Sequence, residues 1–416
     1  MERGIVILAK ANTRKIKVNS SNHTVYPILV ILGICHLLND TLQAVIPAMF
    51  PILEQSHGLT FTQLGFITFA LNMVASVMQP VVGLYADKKP VPFALPIGLA
   101  SSMIGMLGLA LAPNFVFILL SVVFIGLGSA IFHPEGSRVA YLAAGSRRGL
   151  AQSIYQVGGN SGQALAPVIT ALVLVPLGQF GAIWFTLIAG LAVLFLIYIA
   201  KWYAAQVGPG APTIKEAKPK KRDQQVSKAI KLALVTLVFI VFARSWYVSS
   251  LSSFYAFFAI DRYGLSIAEA QIYIFTFLGM GAVGTFLGGP IADQFGKKNV
   301  IVYSFLLATP LALLLPVVGP FVAIPLLGVL GLVITSSFSV SVVYAQELIP
   351  GKIGTMSGLI VGLGFGIGAI GSVALGVMID MIGLGTTMSL MSLLPILGLL
   401  AWWLPSDQKV RAWYSG

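Results

Sequence analysis

The sequence predicts an all-α integral membrane protein, with twelve transmembrane helices in two pseudo-symmetric six-helix bundles. Three observations predict it. First, the 416 residues are 57% hydrophobic and 9% charged, against about 25% charged residues in a soluble domain. Second, the chain contains twelve apolar runs long enough to cross a bilayer, which takes roughly 20 residues. Third, the chain repeats itself. Gly58-Leu59-Thr60 returns 206 positions later as Gly264-Leu265-Ser266, and Gly83 and Ala86-Asp87 return as Gly289 and Ala292-Asp293. The unit 58–89 therefore recurs without a gap at 264–295, as expected of one folded unit used twice.

In chain order, the arm 1–26 carries Lys10, Arg14, Lys15 and Lys17 and is read as cytosolic, its short apolar stretch being too small for a cleaved signal peptide. The apolar runs cover 27–50, 61–85, 93–112, 115–139, 149–176 and 181–203 in a first bundle, 27–203. They cover 231–259, 268–291, 299–317, 321–346, 353–380 and 384–404 in a second, 231–405. Most connections are short, as between packed antiparallel helices. The exception is 204–230, with Pro209, Pro212 and Pro219 and the cluster Lys218, Lys220, Lys221, Arg222. That composition resists burial and reads as a flexible, basic cytoplasmic linker. Residues 406–416 form a cytosolic tail.

Charge placement sets the orientation. With both ends in the cytoplasm, the inner segments hold Lys88 and Lys89, Arg147 and Arg148, the linker cluster, Lys297 and Lys298, Lys352, Lys409 and Arg411, while the outer loops hold Arg262 alone. This is the positive-inside pattern. The net charge of +12 is thus a topology signal and not a nucleic-acid footprint. Cys35 is the single cysteine, so the chain forms no internal disulfide.

Two six-helix repeats flanking a central path are a transporter architecture. The string GGPIADQFGKK resembles the loop motif of the major facilitator superfamily between its helices 8 and 9. GLYADKKP resembles the copy between helices 2 and 3, with Pro90 where the family usually has a basic residue. HLLNDTLQAVIPAMFPIL, QPVVGLYADKKPVPFALPIG, FHPEGSRVA, GLAQSIYQVGGNSG and VYAQELIPGKIGTMSGL resemble the fosmidomycin-resistance branch of that superfamily. The resemblance implies the major facilitator fold and a proton-coupled exporter of small drug-like molecules.

Polar residues inside the spans are functional candidates, because a charge at mid-bilayer costs about 2.5–3.5 kcal/mol on insertion scales. In the first span His36, Asn39, Asp40 and Gln43 fall at i, i+3, i+4 and i+7, one helical face. Asp40 with His36 is read as a proton-coupling pair; the other reading is a permanent structural pair with a basic neighbour. The fourth span ends in Phe132-His133-Pro134-Glu135-Gly136-Ser137-Arg138. Here His133 and Glu135 are candidates for a proton relay, and Glu135 with Arg138, at i and i+3, for a gate bridge. Arg138 could equally reach Asp87.

The fifth span carries Gln152, Gln156, Asn160 and Gln163 on one stripe, interleaved with Gly158, Gly159 and Gly162. Uncharged amides bind a polar solute without a counter-ion, although amides and small residues also join helices. Asn72 of the second span and Asn39 and Gln43 of the first complete the polar lining. In the seventh span the 206 offset replaces Asp40 by Trp246 and His36 by Phe242, and the span holds Arg244 with Tyr247 and Tyr255. A guanidinium fork suits carboxylate, phosphate or phosphonate. The expectation is an anion site at Arg244 walled by the two tyrosines; the alternative is a bridge from Arg244 to Asp40 or Asp380. Near the inner end Asp293, Lys297 and Glu347 are expected to gate the second half. The glycines of the eleventh span are read as close helix contacts.

No phosphate-cradling loop, nucleophile–base pair or metal-ligand spacing is present, so an enzyme is excluded and no cofactor or metal is expected. The expected partners are a small-molecule substrate, protons and the lipid bilayer of the cell membrane, with no nucleic acid and a functional monomer. Two transport functions stay open: proton-driven drug export, and proton-coupled uptake of an organic or phosphorylated acid.

Overall fold

The computed structural model describes residues 16–18, 24–88, 90–145, 148–211, 224–349 and 353–414. Lys89, Arg147, Lys352 and the cluster Lys218, Lys220, Lys221, Arg222 lie outside them, as do the side chains of Asp87 and Gln152.

The first six spans are α1 (Tyr26–Ala48), α2 (Phe61–Lys88), α3 (Ala94–Leu111), α4 (Phe115–Ala143), α5 (Arg148–Ile169) and α6 (Ile183–Gln206). A π turn, Thr170–Leu174, carries α5 on to Leu177. The second six are α7 (Gln224–Tyr263), α8 (Ile267–Phe295), α9 (Lys297–Leu314), α10 (Pro320–Leu348), α11 (Ile353–Ile382) and α12, which begins as Leu384–Met391 and ends as the 3-10 turn Gly398–Trp403. Among the described residues eleven helices are long and apolar enough to cross a membrane, and α11 contributes the shorter apolar segment Gly366–Ile382.

Two boundaries differ from expectation. α7 begins at Gln224, inside the predicted linker, because Gln, Lys and Ala favour helix and let it run beyond the bilayer. The strands β1 (Ile16–Val18) and β2 (Val207–Ala211) pair antiparallel and join the arm to the linker, the latter expected to be flexible. Ile16 and Val18 are β-branched residues suited to a ribbon.

The repeat is visible in local geometry. Gly58 and Gly264 both adopt left-handed backbone, φ 62 and 67, a conformation open to glycine without strain. Each follows a helix end and donates its N–H four residues back, to Glu54 O at 2.8 Å and Ile260 O at 3.0 Å. The next helix then starts with a reciprocal cap. Thr60 N–H donates to Gln63 Oε1 at 2.9 Å and Gln63 N–H to Thr60 Oγ1 at 3.2 Å. At the matching positions Ser266 N–H donates to Glu269 Oε2 at 2.8 Å and Glu269 N–H to Ser266 Oγ at 3.3 Å.

Glycine sets the closest helix contacts. A Cβ on Gly158 or Gly162 of α5 would stand 2.1 Å from the carbonyl oxygen of Gly33 or Leu37 of α1. Gly162→Val is therefore expected to force α1 and α5 apart at a cost of roughly 1–3 kcal/mol or more, and to deplete the monodisperse peak on size exclusion. In α11, Gly371 lies against the Trp246 indole, but Gly362 and Gly368 meet nothing within 4 Å, so only part of that glycine run serves close packing. Gly362→Ala is the control and should leave the peak intact.

The halves meet through α2 and α11 and through α5 and α8. At the end of the molecule away from Lys297 and Lys298, Gly65 of α2 abuts Ser372 O of α11 and Gly376 of α11 abuts Phe61 O of α2, with Cβ positions only 2.4 and 2.3 Å away. Phe61 also packs edge-on to Phe257 of α7, ring centres 5.0 Å apart. Gln271 of α8, buried, donates to Ala48 O of α1 at 3.1 Å. This far end is closed.

Candidate functional site

α1 delivers Asp40 into the first bundle, 4% exposed. Such a carboxyl needs partners, and the structure supplies them on both oxygens. Oδ1 accepts from Asn39 Nδ2 at 3.0 Å and from Gln43 Nε2 at 3.4 Å; Oδ2 accepts from Gln163 Nε2 of α5 at 3.1 Å. His36 Nε2 stands 3.4 Å from Oδ1 and His133 Nε2, from α4, 3.7 Å from the same oxygen. No Lys or Arg pairs with Asp40 among the described residues. That removes the reading in which a fixed cation holds it permanently.

Tyr155 of α5, unremarked in the sequence, organises the histidines. Its carbonyl lies 2.7 Å from His36 Nδ1. A carbonyl only accepts, so Nδ1 carries the proton and Nε2 faces Asp40. Between Nε2 and the carboxyl there is then room for one exchangeable proton. The Tyr155 ring stacks on the imidazole, centres 4.0 Å apart, and its hydroxyl donates to His133 O at 3.3 Å. Gly159 leaves the space: a Cβ there would lie 2.6 Å from His36 Nε2 and 2.8 Å from Asp40 Oδ2. His36 is buried, while the His133 side chain is 24% exposed. The donor atoms of His36, Asp40 and His133 lie within 4.8 Å of one another. By donor type this trio could also hold a metal ion, a grouping the sequence spacing hid because His133 comes from another helix.

Glu135 does not join this cluster. It is 1% exposed, and its Oε1 lies 3.5 Å from Arg138 Nε. Arg138 Nη1 donates to Ala86 O of α2 at 2.9 Å. So the FHPEGSR string splits: His133 turns to the proton-binding candidates, while Glu135 and Arg138 form an ion pair that reaches the Ala86 end of α2.

Arg244 of α7 is 8% exposed and lies over the Phe338 ring of α10, 4.3 Å from its centre. Neither acid proposed as its bridge partner reaches it. Asp40 is held as above, and Asp380 accepts from the first turn of α2. Among the described residues the guanidinium meets no carboxylate and makes no hydrogen bond. Tyr247 and Tyr255, expected to wall it, border a space that Arg244 does not line. Both are 1% exposed and line a small cavity inside the second bundle with Leu251, Ala312 and Met388. A tyrosine's apolar ring is as good a core residue as a cavity wall.

The other amides divide in two. Asn39, Gln43 and Gln163, expected to bind substrate, are occupied with Asp40. Gln156 is exposed, Asn160 and Asn72 are half-buried, and their side chains make no hydrogen bond among the described residues. They stay available to a solute.

A family model described as Major Facilitator Superfamily matches residues 32–371. The chain belongs to the Major Facilitator Superfamily. It is 65% identical over 392 residues to the "Uncharacterized MFS-type transporter YfnC" of Bacillus subtilis (strain 168), covering 94% of this chain and 96% of that one. It is 41% identical over 387 residues to the "Fosmidomycin resistance protein" of Escherichia coli (strain K12), covering 92% and 94%. Among solved structures, a bacterial homologue of the lysosomal transporter Spinster superposes with a TM-score of 0.71 at 18% identity, covering 93% of each chain. The nucleoside transporter NupG superposes with a TM-score of 0.70 at 15% identity, covering 94% and 99%. The chain is a multi-pass membrane transporter and not an enzyme.

In this facilitator the candidate gate charges of the second half bind within that half. Lys297 Nζ lies 2.9 Å from Glu347 Oε1 and 3.8 Å from Asp407 Oδ1. Asp407, read from sequence as a tail residue, accepts the N–H groups of Lys297 at 3.0 Å and Lys298 at 3.2 Å and so caps α9. Asp293 is exposed and has no ion pair among the described residues, so it does not share this cluster. Asp407 lies three residues past the predicted span 384–404; only the return of the chain on α9 reveals its partner.

Proposed function

We propose that this facilitator is a proton-coupled antiporter that exports a small polar or anionic drug, such as fosmidomycin, by alternating access across the cytoplasmic membrane. In this reading both termini and the basic 204–230 linker are cytoplasmic, the six-helix halves 27–203 and 231–405 rock against one another, and the monomer suffices. The observation that carries it is Asp40: a buried carboxyl facing two imidazoles, one with its tautomer fixed by the Tyr155 carbonyl. That arrangement can load and release a proton, and no Lys or Arg among the described residues pairs with the carboxyl. The proton gradient supplies about 2.3 kcal/mol per charge per 100 mV and about 1.4 kcal/mol per pH unit. Arg244 supports the anionic substrate, and the kinship to the fosmidomycin resistance protein supports the drug class.

The test is fosmidomycin uptake into inside-out vesicles energised by a proton gradient. Uptake that collapses with a protonophore supports export and coupling together. Arg244 is equally suited to an organic or phosphorylated acid moving inward, since a guanidinium does not set direction. Proton-driven accumulation in right-side-out vesicles only, with none in inverted ones, would replace the export reading by that uptake reading.

A further inference from the structure

One difference between the two repeats falls on the seam between the halves. Gln63 and Glu269 are equivalent under the 206 offset. In α8 the reciprocal cap thus brings a carboxylate to the helix start. In α2 the same cap brings a neutral amide. A helix N-terminus has unpaired N–H groups and a positive dipole end, which favour an anion. α2 obtains its anion from the other half. Asp380, near the far end of α11, accepts the Phe61 N–H on Oδ1 at 3.1 Å; on Oδ2 it accepts the Thr62 N–H at 2.8 Å and the Thr62 hydroxyl at 2.5 Å.

These three bonds cross from the second half to the first. They sit where Gly65 and Gly376 let the two backbones touch. The other seam closes through the neutral Gln271–Ala48 contact, so Asp380 brings the charge to the closed far end. Any motion that opens this end separates Asp380 from all three donors at once. We infer that Asp380 is a gating residue: its carboxylate latches α11 to the N-terminus of α2 and sets how often the far end opens. The inference rests on alternating access but on neither the proton nor the substrate.

The test is a distance measurement between spin labels at Gln55→Cys and Thr386→Cys, one on each half at the far end, in a Cys35→Ala background in lipid nanodiscs. With the latch intact the short distance dominates. Asp380→Ala is expected to raise the long-distance, open fraction about ten-fold, the worth of a charge-assisted hydrogen bond. Asp380→Asn, which keeps one acceptor oxygen, should fall between. Gln63→Glu offers α2 its own carboxylate and should raise the open fraction without touching Asp380. Asp261→Asn, an exposed acid of α7, is the control and should change nothing. Unchanged distances in Asp380→Ala and Gln63→Glu would overturn the latch. If Asp380→Ala does not fold, Gln63→Glu and Asp380→Asn decide alone. Neither substrate nor gradient is used, so a failed export assay leaves this result standing, and the reverse.

Discussion

Asp40→Asn is expected to abolish proton-driven accumulation while sparing substrate exchange. Asparagine keeps the shape of the carboxyl and one of its oxygens, so one of the two amide donors, Gln43 on Oδ1 or Gln163 on Oδ2, retains its acceptor. It cannot take or give a proton. The variant then moves substrate only down its own gradient. A drive of one charge across 100 mV and one pH unit is worth about 3.7 kcal/mol; accumulation that it sustains at several hundred-fold should fall to unity. Counterflow, in which labelled substrate exchanges for unlabelled, needs no net proton movement and should persist. Both assays on one vesicle preparation separate a lost coupling from a lost fold. Retained accumulation in Asp40→Asn would move the proton to another group, and Glu135 is a poor successor because Arg138 already occupies it.

Arg244→Gln is expected to show the opposite signature: binding and counterflow fail together. A buried guanidinium that meets no carboxylate among the described residues is costly unless something else completes it, and Phe338 offers only one ring face. An anionic substrate would supply the missing charge through two parallel hydrogen bonds. Losing charge-assisted bonds of about 1.5–3 kcal/mol predicts an apparent affinity weaker by about ten- to a hundred-fold. Arg244→Lys keeps the charge and loses the planar fork, so it should fall between. The measurement is fosmidomycin binding to purified protein, with Asp40→Asn alongside as the variant that still binds. Unchanged affinity in Arg244→Gln would return Arg244 to a packing role.

Much of this molecule was legible because a bilayer imposes a coarse code. Twelve apolar runs had to be helices, and the helical face of His36, Asn39, Asp40 and Gln43 marked the site. What the face could not show was the division of labour upon it. Periodicity tells which residues look the same way, not which group each must satisfy. Asn39, Gln43 and Gln163 resembled a substrate lining, yet a buried carboxyl claims donors before a solute can. His133 and Glu135 were candidates for one relay, but only the crossing of α4 over α1 shows that the imidazole lies at Asp40. The Tyr155 carbonyl is backbone and has no sequence signal; the space at Gly159 had one, a glycine inside a polar stripe, that was read as general packing. From sequence, Asp380 is a candidate only as a partner for Arg244, and Asp407 is only part of the tail. Each serves a helix start that is distant in sequence.

The titratable cluster draws on α1, α4 and α5 only, and Arg244 stands on α7. One half therefore carries the variable charge and the other a permanent positive one. When such halves rock, the protein's own dipole turns with them, and its size depends on whether Asp40 is loaded. Membrane voltage then acts on the rocking itself as a torque, over and above its pull on the travelling proton. Under the proposed coupling the empty transporter would be a voltage-biased hinge, with the bias reset at each proton exchange.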